Sequence, residues 1–127
     1  MNKVHVLLSV GNTENKISLL PFIEVAAENK DIVFYATEKT HNFLKENNIP
    51  STRIYKVSEL GKYPNISEMI SKKIFNIIIN IPSRDVTEKA ADYTDGEIIR
   101  KTAAEYNLIS ITDLDVAEII LGNLGGK

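Results

Sequence analysis

The stretch Phe34–Pro50, FYATEKTHNFLKENNIP, decides how the chain is read. An apolar run ends in Ala36 and Thr37, a polar cluster Glu38-Lys39-Thr40-His41 follows, and an amphipathic segment with Phe43 and Leu44 facing inward begins at once. This is a strand feeding directly into a helix, stopped by Asn47-Asn48 and Pro50. The junction has two readings. Thr37 can cap the helix with its hydroxyl. Alternatively, the free N–H groups of the first turn and the helix dipole can hold an anion between hydroxyls and a lysine.

Outward from this junction the same alternation recurs. Val4–Val10 reads as a buried strand ended by Gly11-Asn12, and a helix follows from Thr13, with Glu14 well placed near its start. Pro21 falls inside that helix and conflicts with it locally. Asp31–Thr37 is the second strand, 38–48 the second helix and Thr52–Val57 a shorter third strand. Ile66–Ile74 carries Ile66, Met69, Ile70 and Ile74 on one helical face, and Phe75–Ile81 is the most apolar strand. The segment 82–95 reads as polar and irregular, 96–107 as a helix, Leu108–Thr112 as a last strand and 113–124 as a final helix capped by Asp113. Five strand–helix alternations predict an α/β fold: three layers, with a five-stranded parallel sheet covered by helices on both faces. The 127 residues form a single domain, 1–127, and the Gly125-Gly126-Lys127 tail reads as mobile.

Composition limits the chemistry. Charged residues make up 25% and the net charge is −2 with both signs interspersed, which argues against a nucleic-acid or membrane surface. The absence of cysteine removes disulfides, thiolate metal sites and thiol nucleophiles, and two distant histidines make a metal site unexpected. No apolar run reaches the roughly 20 residues of a membrane span. The N-terminus reads as a strand rather than a signal peptide, and the expected compartment is the cytoplasm.

In open parallel sheets, ligands bind beyond the carboxyl ends of the strands. The residues expected there are Gly11, Asn12, Thr13 and Lys16, then Thr37, Lys39 and Thr40, then Lys56, then Asn80, Pro82, Ser83 and Arg84, and last Thr112 and Asp113. The set is rich in hydroxyls, amides and cations and poor in bases, which suits a phosphate or carboxylate pocket. No G-x-G-x-x-G or Walker lysine motif is present, which disfavours dinucleotide and triphosphate cradles. Taken singly, Lys16, Lys39 and Lys56 read as solvated surface lysines. His5 reads as a partly buried residue with a partner, and His41 has no assigned role.

The segments LLSV, YATEKT, KV after the third strand, NIIINIPS and EIIRKTAAEYNLISITD come in an order and spacing that resembles the methylglyoxal synthase-like domain family over nearly the whole chain. The resemblance is greatest to the C-terminal allosteric domain of carbamoyl phosphate synthetase large chains, where an Ala-Thr-x-x-Thr turn ends the second strand. INIPS and YPNIS resemble the animal-type enzymes, whereas Lys56 resembles the bacterial type. The resemblance implies a regulatory module without catalysis or cofactor of its own. Its ligand would be a small anionic effector: a nucleotide monophosphate, N-acetylglutamate or phosphate. Thr37 and Thr40 would hold the anion, with Lys16, Lys39 and Lys56 adding charge and Asn80 and Ser83 orienting the rest. Implied partners are the catalytic domains of carbamoyl phosphate synthetase, and a homo-oligomer is open.

The same family contains a lyase that converts dihydroxyacetone phosphate to methylglyoxal and phosphate with an aspartate base and a histidine. Here Tyr63 falls where that aspartate is expected and no histidine stands near Ala91–Asp95. A tyrosine, with an ordinary pKa of about 10, does not replace a carboxylate base at neutral pH. The alternative is therefore a divergent methylglyoxal synthase that uses Asp85 or Asp95. Glu38-Lys39 stands where a cyclohydrolase module of purine synthesis carries two glycines, which weighs against that branch.

Overall fold

The computed structural model describes residues 3–56, 59, 61–83 and 90–125, and side chains throughout these except at 90–96. Arg84 and Asp85 lie outside the described residues, as do the side chain of Asp95 and the last two residues of the tail.

Strands β1 (Val4–Val10), β2 (Ile32–Ala36), β3 (Thr52–Arg53), β4 (Ile77–Ile81) and β5 (Ser110–Ile111) alternate with helices α1 (Thr13–Ala27), α2 (Glu38–Glu46), α3 (Ile66–Ser71), α4 (Ala90–Glu105) and α5 (Leu114–Leu124). The strands form one five-stranded sheet in the order β3-β2-β1-β4-β5, and every pairing is parallel. The expected three-layer α/β architecture is present. Strand order reverses between β1 and β4, and at such a switch point the two flanking crossovers diverge and leave a crevice at the carboxyl edge.

The period of two along each strand builds both cores. Val6, Leu8, Val10, Ile79 and Ile81 face Leu19 and Ile23 of α1, Leu44 of α2 and Leu121 of α5. Leu7 and Ile78 face the opposite way, onto Ile66 and Ile70 of α3 and Ile99 and Ala103 of α4. β1 and β4 are therefore buried on both faces, which is why their sequences are continuously apolar.

α1 starts at Thr13 as expected, preceded by Asn12 at φ 65° and ψ 139°, outside the left-handed α region. Other local readings are corrected. β3 is only two residues long, followed by a single bridge from Tyr55 to Asn65. Ala90–Asp95, inside the segment read as irregular, already belongs to α4 among the described residues; alanine favours helix where no apolar stripe marks it. Pro21 does lie inside α1. It is exposed, and so is Ile17, whose carbonyl loses the usual N–H donor on the solvent side of the helix, where the loss is least costly. Asp113 caps α5 as expected, accepting from Val116 N–H at 3.1 Å. His5 is partly buried and hydrogen-bonded through Nδ1 to the Tyr35 hydroxyl at 2.8 Å. No described helix is long and apolar enough to cross a membrane.

Candidate functional site

At the carboxyl edge, parallel register aligns the strand ends. Ser9 of β1 pairs with Asn80 of β4, and Leu8 pairs with Ala36, so Thr37 emerges one step beyond β2 beside Ser9. The Thr37 hydroxyl donates to Ser9 Oγ at 3.3 Å. It makes no capping bond to α2, although Thr37 occupies the N-cap position in an extended conformation. The first turn of α2 thus presents its backbone N–H groups without a side-chain cap, and these groups normally seek an acceptor.

Thr40 behaves differently. It is 2% exposed, and its Oγ1 accepts from Val10 N–H at 3.1 Å and faces the Val10 carbonyl at 3.5 Å. The hydroxyl is used to tie α2 to the end of β1. The expectation that it holds a ligand is thereby narrowed to the Thr40 backbone.

The opposite wall comes from β4 and the loop after it. Gly11 N–H donates to the Ile81 carbonyl at 2.7 Å, and Ser83 Oγ donates to Asn12 Oδ1 at 2.5 Å. The two loops approach so closely that a Cβ on Gly11 would stand 2.6 Å from Ser83 N. Asn15 Nδ2 donates to the Gly11 carbonyl at 3.0 Å and holds the turn from below.

Between these walls lies a cavity of about 70 Å³, room for several waters or one small anionic group. The seven residues to which the resemblance gives a ligand role line it: Lys16, Thr37, Lys39, Thr40, Lys56, Asn80 and Ser83. Of the wider strand-end set Gly11 and Pro82 line it too, whereas Asn12, Thr13, Thr112 and Asp113 do not. Lys16 is 9% exposed, which corrects its reading as a solvated surface lysine: the close packing of the β1–α1 turn against the β4 loop folds it into the cavity wall. Lys39 is exposed and Lys56 half-buried.

Arg100 of α4 also lines the cavity and was not among the residues expected there. It follows Ile99, which packs on Ile78, and Ile78 and Asn80 share a sheet face. Arg100 therefore reaches Asn80, and its Nη1 donates to Asn80 Oδ1 at 2.6 Å. The helical spacing of Ile99 and Ala103 held the signal, because an arginine beside that stripe flanks the buried seam.

Among the described lining residues four are cationic and one, Glu38, is acidic. Glu38 is engaged by Arg53 at 3.5 Å, and Arg53 also meets Glu59 at 3.3 Å and stacks 4.4 Å over the Tyr55 ring. The described lining therefore carries more positive than negative side chains and includes the first turn of α2. Among the described residues no cluster of three or more acidic or histidine side chains is placed to hold a metal. Tyr63 is 70% exposed and does not line the cavity.

Comparison with known proteins gives the same architecture. The chain resembles the multifunctional protein ura1 of Schizosaccharomyces pombe, with 25% identity over 94% of this chain and 5% of that protein. It is 31% identical to a carbamoyl phosphate synthase large chain of Clostridium botulinum over 90% of this chain and 10% of that one. The chain thus spans a tenth or less of the length of these relatives. Its fold matches a crystal structure of methylglyoxal synthase from Elizabethkingia anophelis at a TM-score of 0.69, with 19% identity, covering 94% of this chain and 77% of that one. The model of the MGS-like domain matches residues 18–112, and the chain belongs to that family.

Proposed function

We propose that the chain is a regulatory module that binds a small anionic effector at the β1–β2–β4 edge and performs no catalysis of its own. The observation that carries this reading is the uncapped first turn of α2: Thr37 sits at the N-cap yet turns its hydroxyl to Ser9, so a ligand anion is the natural acceptor for those N–H groups. Lys16, Lys39 and Lys56 add charge at the same place. The effector would stabilise one arrangement of the module against a neighbouring catalytic domain, as suits relatives named as carbamoyl phosphate synthase large chains. A coupling of about 1–3 kcal/mol suffices for such control. Cytoplasmic residence fits that role.

A thermal-shift titration with phosphate, UMP, IMP, N-acetylglutamate and dihydroxyacetone phosphate tests the reading. A ligand at 100 times its dissociation constant adds about 2.7 kcal/mol of stability. A shift with one effector, no methylglyoxal formed from dihydroxyacetone phosphate, and loss of the shift on replacing Thr37 and Lys56 by alanine are the expected results. No shift with any of these anions, or an unchanged shift in the double variant, would overturn it.

A further inference from the structure

Glu38 is the first residue of α2 and lines the cavity, and among the described lining residues it alone is acidic. A carboxylate at a helix start is drawn to the same N–H groups and dipole that attract an anion. Unrestrained, Glu38 would therefore compete with an anionic ligand for one place. It is restrained from outside. Arg53 Nη2, on β3, lies 3.5 Å from Glu38 Oε1, and Arg53 does not itself line the cavity. Arg53 is fixed in turn from two sides: Nη2 lies 3.3 Å from Glu59 Oε2, and the guanidinium stacks 4.4 Å over the Tyr55 ring. Glu59 Oε1 accepts from Lys56 N–H at 3.0 Å, which ties this anchor to the backbone of a cavity residue. Arg53 thus keeps its place whichever way the half-exposed Glu38 side chain turns.

We propose that Glu38 is a built-in competitor of the anionic ligand and that Arg53 is a positioning residue that holds it away from the start of α2, so that the pair sets the affinity of the site. This rests on the effector-binding reading above. The Glu38 carboxylate has two places to go. On Arg53 it leaves the first turn of α2 open to a ligand. On the first turn it takes the acceptor position and repels a second anion. Apparent affinity falls in proportion to the fraction of molecules in the closed arrangement. An exposed ion pair biases such a choice modestly, so the control is severalfold and graded.

Inorganic phosphate is the probe. Its affinity is measured by calorimetry on the whole chain at about 0.15 M salt, and the start of α2 is followed through the amide resonances of Lys39 and Thr40. Arg53→Met should weaken phosphate binding about threefold or more. Glu38→Gln should bind phosphate at least as tightly as the unaltered protein. Adding Arg53→Met to it should change affinity by less than about 1.5-fold, because the arginine acts through the carboxylate and its own charge is screened. Without phosphate, Arg53→Met should move the Lys39 and Thr40 resonances part of the way to their phosphate-bound positions, as Glu38 settles on those N–H groups. On the Glu38→Gln background the same substitution should leave them in place. Should the methionine variant fail to fold, Arg53→Gln removes the charge and keeps a polar side chain.

Unchanged affinity in Arg53→Met would overturn the proposal, as would an equal loss on both backgrounds, which would assign Arg53 to the Lys56 loop or to bulk charge. Lys39 and Thr40 resonances that stay in place in Arg53→Met would overturn it too. If phosphate binds to none of the four proteins, the effector-binding reading fails and this one with it. Phosphate bound equally by all four sinks only the role of the Glu38–Arg53 pair.

Discussion

The hydroxyl of Thr40 sits beneath the last turn of β1, 3.1 Å from the N–H of Val10 and 3.5 Å from its carbonyl. A side chain from α2 thus stands in for a neighbouring strand at the point where β1 leaves the sheet. Thr40→Val preserves shape and removes both interactions, leaving a buried backbone N–H unsatisfied. The expected loss is about 1–3 kcal/mol, read from urea denaturation. Thr40→Ser should recover most of it, because the hydroxyl is kept.

Thr37 shows the opposite behaviour. Its hydroxyl makes no cap, so Thr37→Ala should cost less than about 0.5 kcal/mol, below the usual penalty for losing a helix cap. The same variant should weaken phosphate or effector binding severalfold in the thermal-shift titration. A stability loss near 2 kcal/mol would show that the residue caps the helix after all.

At Gly11 a methyl group meets backbone, not a movable side chain: Ser83 N at 2.6 Å and Ser83 Cα at 2.8 Å. Gly11→Ala must push the two loops apart. Overpacking of this kind costs about 1–3 kcal/mol, and the displaced loops should lower the melting temperature and anion affinity together.

Tyr35 supplies the pH prediction. Burial pushes its phenol above the ordinary value of 10.0. The unfolded chain therefore releases this proton first, and the folded state loses stability as pH rises from 10 through the raised value. Below pH 10 the group contributes no slope. Tyr35→Phe should flatten the alkaline limb of a stability-versus-pH curve, while giving up the hydrogen bond to His5 Nδ1 at every pH.

The fold was legible because β1 and β4 are apolar on both faces and each strand ends in a turn signal that starts a helix. The strand ends then located the candidate site, since topology alone brings residues such as Lys16, Thr37 and Asn80 to one edge. Side-chain commitments within that edge were not legible. Whether Thr37 or Thr40 spends its hydroxyl on the backbone depends on a rotamer and on the distance to β1, and both residues carry the same group. The burial of Lys16 depends on how closely Gly11 approaches Ser83, a contact between segments far apart in sequence. Arg100 was visible only as a helical residue beside Ile99, and its reach to Asn80 appears once α4 is laid on β4.

The cavity draws its walls from Ser9 to Arg100, across β1, α2, β4 and α4. No contiguous piece of the chain contains it, so a partly folded intermediate has nothing to offer a ligand. Occupancy is then coupled to cooperative unfolding, not to loop fluctuation. Amide hydrogen exchange should slow upon binding in the central strands β1 and β4 by the same factor as in the loops that touch the anion.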